Sequence, residues 1–93
     1  MPLVWRPLAL ADRDAIIDYV AANNPAAALA LDDDFEAKAE QARQHPKLYK
    51  AGRVPGTRGI VVRPNFVMVY QIKGKELVIL RVLHARQQWL ARP

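Results

Sequence analysis

The hydrophobic positions of this 93-residue chain change their spacing near residue 45. Before that point apolar residues recur every three or four positions, which predicts amphipathic helices. After it they alternate or form short runs of valine, isoleucine and leucine, which predicts strands separated by turns. The pattern therefore predicts an α+β fold, with its helices in the first half and most of its sheet in the second.

Two consecutive helices are predicted in the first half. The first runs from about Leu8 to Ala22, with core-facing positions Leu10, Ile16, Ile17, Val20 and Ala21. Asn24 is a suitable N-cap and Pro25 a suitable first residue for the second helix, which runs to about Gln44. Its core-facing positions are Leu31, Phe35, Ala39 and Ala42. Acidic residues crowd its early turns, where we interpret them as contributing helix stabilisation through the macrodipole and solubility rather than a metal site: Asp32, Asp33, Asp34 and Glu36.

The predicted strands are Leu3–Arg6, Gly59–Arg63, Phe66–Ile72 and Glu76–Leu83. Turn sequences, Pro64-Asn65 and Lys73-Gly74-Lys75, join the last three. The order β-α-α-β-β-β predicts an antiparallel sheet with the helical hairpin packed on one face and the other face open. In the last strand, alternation groups Val78, Leu80, Val82 and His84 on one side, and Leu77, Ile79, Arg81 and Leu83 on the other. Because both sides are largely apolar, the sequence leaves open which side meets the helices.

Length and composition narrow the class of protein. Ninety-three residues suffice for one domain, 1–93, without room for a second or for a large internal active site. No apolar run approaches the roughly 18 residues of a membrane span, and the N-terminus does not read as a signal sequence, so we expect a cytoplasmic protein. The chain has no cysteine and two histidines, so disulfides are excluded, and we expect neither a metal site nor a cofactor.

Charge is distributed unevenly along the chain. Residues 1–45 hold eight acidic and four basic side chains, a net charge of −4, whereas residues 46–93 hold ten basic and one acidic, a net charge of +9. This asymmetry favours encounters with nucleic acid or an acidic protein surface without identifying which. The basic second half is therefore the expected functional surface.

The candidate functional residues lie in this basic half. Four arginines have planar guanidinium groups that suit phosphates and carboxylates, or that simply solvate a sheet face: Arg58, Arg63, Arg81 and Arg86. His84 is the candidate general acid or base, with hydrogen bonding at a strand end as the alternative role. Trp89 either covers the helix pair or stacks on a base. The sequence has no glycine-rich phosphate loop, nucleophile elbow or paired-carboxylate motif, so these residues favour a basic binding module.

Three stretches of the basic half have a characteristic order and spacing: Gly52–Arg58, Arg63–Tyr70 and Ile79–Trp89. Together they resemble the RelE/ParE superfamily of type II toxin–antitoxin toxins. The resemblance covers nearly the whole chain, since Trp5-Arg6-Pro7 and Asn24–Ala27 are also typical of that superfamily. Its β-α-α-β-β-β fold is the order that the hydrophobic pattern predicts.

The resemblance implies one of two functions. ParE-like members inhibit DNA gyrase and thereby replication, and act in plasmid stabilisation; RelE-like members cut mRNA on the ribosome and block translation. RelE-like toxins usually have a basic residue shortly before the tyrosine that matches Tyr70, where this chain has the apolar stretch Phe66–Val69. We therefore favour the ParE-like branch, without catalytic residues. The expected target- or antitoxin-binding residues are Arg58, Arg63, Arg81, His84, Arg86 and Trp89. In the RelE-like alternative, His84 and Arg86 are catalytic.

The resemblance also implies a cognate antitoxin, usually acidic, that neutralises the toxin in a hetero-oligomer. The expected mode is an antitoxin helix in a groove beside the helix pair, with a strand or tail passing over the sheet. A third interpretation is a degenerate toxin that still binds its antitoxin. Gly59 keeps that interpretation open, because acidic residues are common at this position in the family.

Overall fold

A computed structural model describes residues 1–52 and 54–85 of the chain. The elements are β1 (Leu3–Trp5), α1 (Pro7–Ala21), α2 (Pro25–Gln44), β2 (Arg58–Arg63), β3 (Phe66–Lys73) and β4 (Glu76–His84). The α+β class and the β-α-α-β-β-β order are confirmed, with every boundary within one residue of its prediction. In the described part of the chain, no helix has the length and apolar character that a membrane crossing requires.

The start of α2 follows from local chemistry. Pro25 is its first residue, and the side-chain oxygen of Asn24 accepts a hydrogen bond from the N–H of Ala27 at 3.0 Å. That bond satisfies one of the four N–H groups that the start of a helix leaves without an intrahelical partner. The predicted N-cap is therefore confirmed. α1 also begins on a proline, Pro7, although Arg6 before it makes no side-chain cap.

In the described part of the chain, four strands form one sheet in the order β1-β4-β3-β2. The last three are antiparallel, as predicted, and Gly74 in the β3–β4 turn has φ +61°, a left-handed conformation that glycine adopts without strain. β1 pairs in parallel with β4, placing Leu3 opposite Leu77. The sheet is therefore mixed rather than wholly antiparallel. The parallel pairing is allowed because two helices, not a hairpin turn, separate β1 from the other strands.

The helical hairpin packs on one face of the sheet. All four predicted core positions of α2 are buried: Leu31, Phe35, Ala39 and Ala42. In α1 the prediction is wrong for Leu10, which is 43% exposed, whereas Ala9 and Arg13 are buried. Arg13 is buried because its guanidinium donates to Asp32 and Glu36 of α2. Hydrophobic periodicity could not predict a charged residue at a core position.

A β-bulge in β4 reverses the predicted alternation of its side chains. The register shifts between Val69 and Tyr70 of β3, so that Leu80 is an extra residue in β4. The core between helices and sheet accordingly includes Leu77, Ile79 and Val82. The predicted grouping of Val82 with Val78 and Leu80 is therefore wrong.

The same bulge decides the position of His84. Residues two apart in a regular strand lie on the same face, which places His84 with Val82 on the helix side. The ring of His84 makes an edge-to-face contact with Phe66, with centroids 5.5 Å apart and planes at 75°. Phe66 in turn contacts Phe35 of α2 at 6.1 Å. The face of the sheet that carries His84, which the sequence left open, is the one that meets the helices.

The opposite face of the sheet is also largely closed to solvent at its centre. Apolar side chains that alternate with the helix-facing core are only 3–6% exposed: Val67, Val69, Val78 and Leu83. The expectation of an open second face is therefore wrong at these positions.

Candidate functional site

A groove of about 600 Å³ opens between the helical hairpin and the turn that joins β2 to β3. We call it the helix–turn groove. Side chains from both helices and from the sheet form its mainly apolar lining: Ile16, Tyr19, Val20, Leu31 and Phe66. Arg63, Asn65 and His84 bring polar groups to it. This arrangement suits an amphipathic segment that seats apolar side chains inside and presents polar or acidic groups to the edge.

The end of β4 is tied to the turn that borders the groove. The N–H of Ala85 donates to the carbonyl oxygen of Asn65 at 2.6 Å. His84, the preceding residue, packs on Phe66 and lines the groove together with Arg63. Two of the predicted site residues, Arg63 and His84, are thus brought into one site although 21 positions separate them in the chain.

Arg63 makes an ion pair with α2 across the edge of the groove. Its Nε and Nη2 lie 2.7 and 2.6 Å from Oδ2 of Asp34. The two side chains are 40% and 43% exposed. Pairs in contact with water contribute about 0–1 kcal/mol to stability, because solvent competes for both charges. The guanidinium of Arg63 can therefore exchange this carboxylate for another at little cost.

Arg81 makes a related pair in a more enclosed position. Its Nε and Nη2 donate to the two carboxylate oxygens of Asp12 in α1, at 2.7 and 3.0 Å. The same carboxylate accepts the backbone N–H of Val82 at 3.0 Å, and the Asp12 side chain is 15% exposed. The hydrogen bond to Asp12 raises the pKa of the Arg81 guanidinium. β1 ends opposite Ile79, so Asp12 takes the place that a longer β1 would fill on this edge of β4.

Arg58 holds the loop that follows α2. Its Nη1 donates to the carbonyl oxygen of Tyr49 at 2.7 Å. Tyr70 of the central strand donates its hydroxyl to the carbonyl oxygen of Pro46 at 2.6 Å, and the ring of Tyr49 stands edge-on to the Tyr70 ring. Tyr70 is fully buried, and burial raises the pKa of its phenol. These contacts hold the loop that follows α2 against this end of the sheet.

The predicted site residues thus lie in different parts of the structure. Arg63 and His84 lie in the helix–turn groove, Arg58 is at the opposite end of β2, and Arg81 is bound to α1. Arg86 and Trp89 lie outside the described residues. Four predicted site residues therefore have a place in the structure, and two of them share a site.

Acidic residues of α2 form ion pairs with arginines that the sequence did not predict. None of them lies in the first turn of the helix. Asp32 and Glu36 pair with Arg13, and Asp34 pairs with Arg63. Burial lowers the pKa of Arg13, but the hydrogen bonds and charges of its two partners outweigh that effect and raise it. Within residues 1–52 and 54–85, no three His, Cys, Asp or Glu side chains are grouped to hold a metal ion.

Sequence reasoning missed the contribution of α1 to the groove. Tyr19 lines it, yet this residue is 78% exposed. Ala15, one helical turn earlier, lies beside it on the same edge. An aromatic residue outside the core-facing positions of an amphipathic helix was the available signal.

Comparison with known proteins agrees with this architecture. Residues 3–89 match the family model described as "ParE toxin of type II toxin-antitoxin system, parDE". The fold is similar to the structure "Chromosomal ParDE TA system from P. aeruginosa", with a TM-score of 0.78 and 35% identity over 90% of this chain and 95% of that chain. A protein of Sinorhizobium fredii (strain NBRC 101917 / NGR234) named "Putative toxin Y4kP" is 29% identical over 86 residues, which cover 91% of this chain and 88% of that protein. The chain therefore belongs to the ParE toxin family of type II toxin–antitoxin systems.

Proposed function

We propose that this ParE-family toxin acts in the cytoplasm by inhibiting DNA gyrase, and thereby replication, and that a cognate antitoxin neutralises it. The single observation that carries the choice of gyrase over the ribosome is the packing of β3. This strand is apolar over Phe66–Val69, where ribosome-dependent nucleases of the RelE type usually have a basic residue.

The described part of β3 offers no side chain suited to RNA cleavage at that place. Val67, Met68 and Val69 are buried and apolar. Tyr70 has no exposed surface, and its hydroxyl is bonded to the backbone of Pro46. A general acid or base must come within hydrogen-bond reach of the proton that it transfers. The packing of β3 therefore supports binding rather than catalysis as the basis of toxicity.

The helix–turn groove supports the antitoxin as a partner. Its apolar lining would seat the apolar face of a helix, and Arg63 at its edge would meet an acidic side chain. The family implies an acidic antitoxin, and the basic second half of this chain is complementary to it in charge. We expect toxin and antitoxin to form a hetero-oligomer.

We assign target recognition to the end of β4 and the residues that follow it. His84 is the structurally described member of this group, and Arg86 and Trp89 are proposed with it from the sequence. Arg58 and Arg81 take a supporting role, because their guanidinium groups hold a loop and a helix in place.

The primary test is induced expression of the toxin without antitoxin, with DNA synthesis, the SOS response and protein synthesis followed separately. We expect replication to stop first and the SOS response to rise. Purified toxin should also inhibit supercoiling by purified gyrase or stabilise its cleavage complex. Early arrest of translation with intact replication, or inert gyrase assays at micromolar toxin, would contradict the gyrase target.

One observation favours the RelE-like alternative, a ribosome-dependent mRNA endoribonuclease. The His84 ring lies in a groove beside Arg63, where an RNA phosphate could be bound. If His84 and Arg86 are general acid or base, alanine at either position should lower the rate of mRNA cleavage by about 10²- to 10⁴-fold. Absence of ribosome-dependent cleavage by the unaltered toxin excludes this function.

A further inference from the structure

Arg63 is the only permanently charged cation that lines the helix–turn groove among the residues that the structure describes. A guanidinium presents five N–H donors in a planar fork, which is best satisfied by two carboxylate oxygens in parallel. Here Nε and Nη2 meet one oxygen, Oδ2 of Asp34. Within residues 1–52 and 54–85, Nη1 of Arg63 makes no hydrogen bond or ion pair. Only part of the hydrogen-bonding capacity of the Arg63 guanidinium is therefore satisfied.

Asp34 is held in this position by little else. In the described structure its carboxylate has no partner besides Arg63, and its side chain is 43% exposed. Asp12, by contrast, gives both oxygens to Arg81 and also accepts a backbone N–H. Moving the Asp34 side chain into solvent would leave no buried polar group unsatisfied, whereas moving Asp12 would leave the N–H of Val82 without an acceptor.

We propose that Asp34 is an internal competitor for Arg63, and that the toxin recognises an acidic side chain of its antitoxin by exchanging Asp34 for it. The occupant of the groove is an amphipathic peptide segment whose apolar side chains lie against Phe66 and Leu31, and whose carboxylate reaches the fork at the edge. This inference rests on the proposed antitoxin partner and adds the residue pair that sets its affinity and specificity.

Exchange has a measurable consequence for affinity. An acidic partner must displace Asp34, so the native pair lowers the affinity for that partner by the free energy of the pair. Exposed ion pairs are worth up to about 1 kcal/mol, which corresponds to roughly a two- to five-fold change in Kd. Removing the charge with Asp34→Asn should therefore tighten the binding of an acidic peptide by about that factor.

The probe is a synthetic peptide selected from a displayed library on the purified full chain. Peptides are kept if they bind the unaltered chain and fail to bind Ala15→Trp, which fills the groove from an exposed helix position. We expect the retained peptides to share apolar positions and an Asp or Glu. A library that yields no peptide sensitive to Ala15→Trp overturns the groove as a docking site, and the exchange with it.

Calorimetry then compares one retained peptide with a second version in which its acid is replaced by the amide. The acid should bind better than the amide, and this preference should grow in Asp34→Asn and vanish in Arg63→Gln. Asp33→Asn is the matched control, because it removes the same charge from an adjacent exposed residue without an ion pair in the described structure. Titrations of the unaltered chain and of Arg63→Gln with both peptides form a double-mutant cycle, which isolates the coupling between Arg63 and the acid of the peptide.

The exchange is overturned if Asp34→Asn binds the acidic peptide no more tightly than Asp33→Asn does, or if Arg63→Gln keeps the acid preference. The gyrase assays use free toxin and no peptide, so the two proposals can fail separately. If the toxin inhibits gyrase but the peptide assays show no exchange at Arg63, only this inference is overturned. Intact exchange with no gyrase inhibition removes the gyrase target and leaves antitoxin recognition.

Discussion

Two arginine–aspartate pairs connect the sheet to the helices, and they differ in how much of the structure depends on them. Arg81 and Asp12 pair through two oxygens, and Asp12 also accepts the N–H of Val82 with its side chain 15% exposed. Arg63 and Asp34 meet at one oxygen, and both side chains are at least 40% exposed. Burial and the additional backbone bond, rather than the identity of the charged groups, make the first pair structural.

The same difference explains why one pair borders a candidate binding site and the other does not. A carboxylate that satisfies an otherwise unpaired strand N–H cannot leave without exposing the edge of β4. Within the described residues, Asp34 accepts no such backbone hydrogen bond. In the proposed recognition of the antitoxin, the second kind of pair can exchange its carboxylate more easily, because water already competes for both of its charges.

The largest effect is expected from the enclosed pair. Asp12→Ala should lower the free energy of unfolding by about 2 kcal/mol, because it leaves Arg81 and the N–H of Val82 without their acceptor. Urea denaturation followed by circular dichroism measures this change in the free energy of unfolding. Asp14→Ala, at an exposed position of the same helix, should change stability by no more than about 0.5 kcal/mol. Equal effects of the two substitutions would show that Asp12 is not structural.

A smaller loss of stability is expected where Tyr70 holds the loop after α2 against the sheet. Tyr70→Phe should cost about 1 kcal/mol, since it removes the hydroxyl that donates to Pro46 but keeps the buried ring. Because this hydroxyl is buried, toxicity in cells should persist once expression is matched by immunoblot. Loss of toxicity in a folded Tyr70→Phe protein would instead favour a catalytic role for the tyrosine.

The exposed pair should contribute less to stability and should respond to salt. Asp34→Asn is expected to cost under about 1 kcal/mol. This difference should disappear in about 1 M salt, where the screening length falls to about 3 Å. The loss caused by Asp12→Ala should remain, because it arises from an unsatisfied backbone group. Unfolding curves of both variants at low and high salt measure how each loss of stability depends on salt. If both losses fall with salt to the same extent, the two pairs do not differ in the way proposed.

The smallest effect is expected at the end of α2, where Glu40 and Arg43 form an ion pair within one helix. The hydrogen bond from Arg43 lowers the pKa of Glu40 from its ordinary 4.5 to about 2. The unfolded chain therefore binds the proton first, so the contribution of Glu40 is complete above pH 4.5 and is lost as the pH falls to about 2. Stability of the unaltered protein and of Glu40→Gln, measured across this range, should converge at the acidic end. If the difference in stability between the two proteins stays constant across this range, the stabilisation by the Glu40–Arg43 pair does not depend on protonation of Glu40.

The secondary structure could be predicted because its signals are local. Asn24 and Pro25 start α2 through contacts within four residues, and Gly74 allows the β3–β4 turn through its own backbone freedom. Leu10 was misplaced because Arg13, buried by acidic partners 19 and 23 residues away, occupies the stripe that periodicity assigned to apolar residues.

The candidate site could be predicted only in part. Arg63 and His84 were nominated from the basic half, and the groove that joins them is built from helices that the charge pattern did not implicate. Arg81 was nominated as a contact residue, yet its partner Asp12 lies 69 positions earlier in the chain. No local pattern indicates which of several aspartates an arginine will meet after folding.

The sequence by itself determined the order and limits of the helices and strands, the basic character of the second half and the resemblance to the RelE/ParE superfamily. Tertiary structure alone decided which face His84 occupies, because both faces of β4 are apolar and a bulge at Leu80 sets the register. It also decided which arginines are structural. An ion pair depends on which surfaces meet and how far they are buried, and that information is absent from any single segment of the chain.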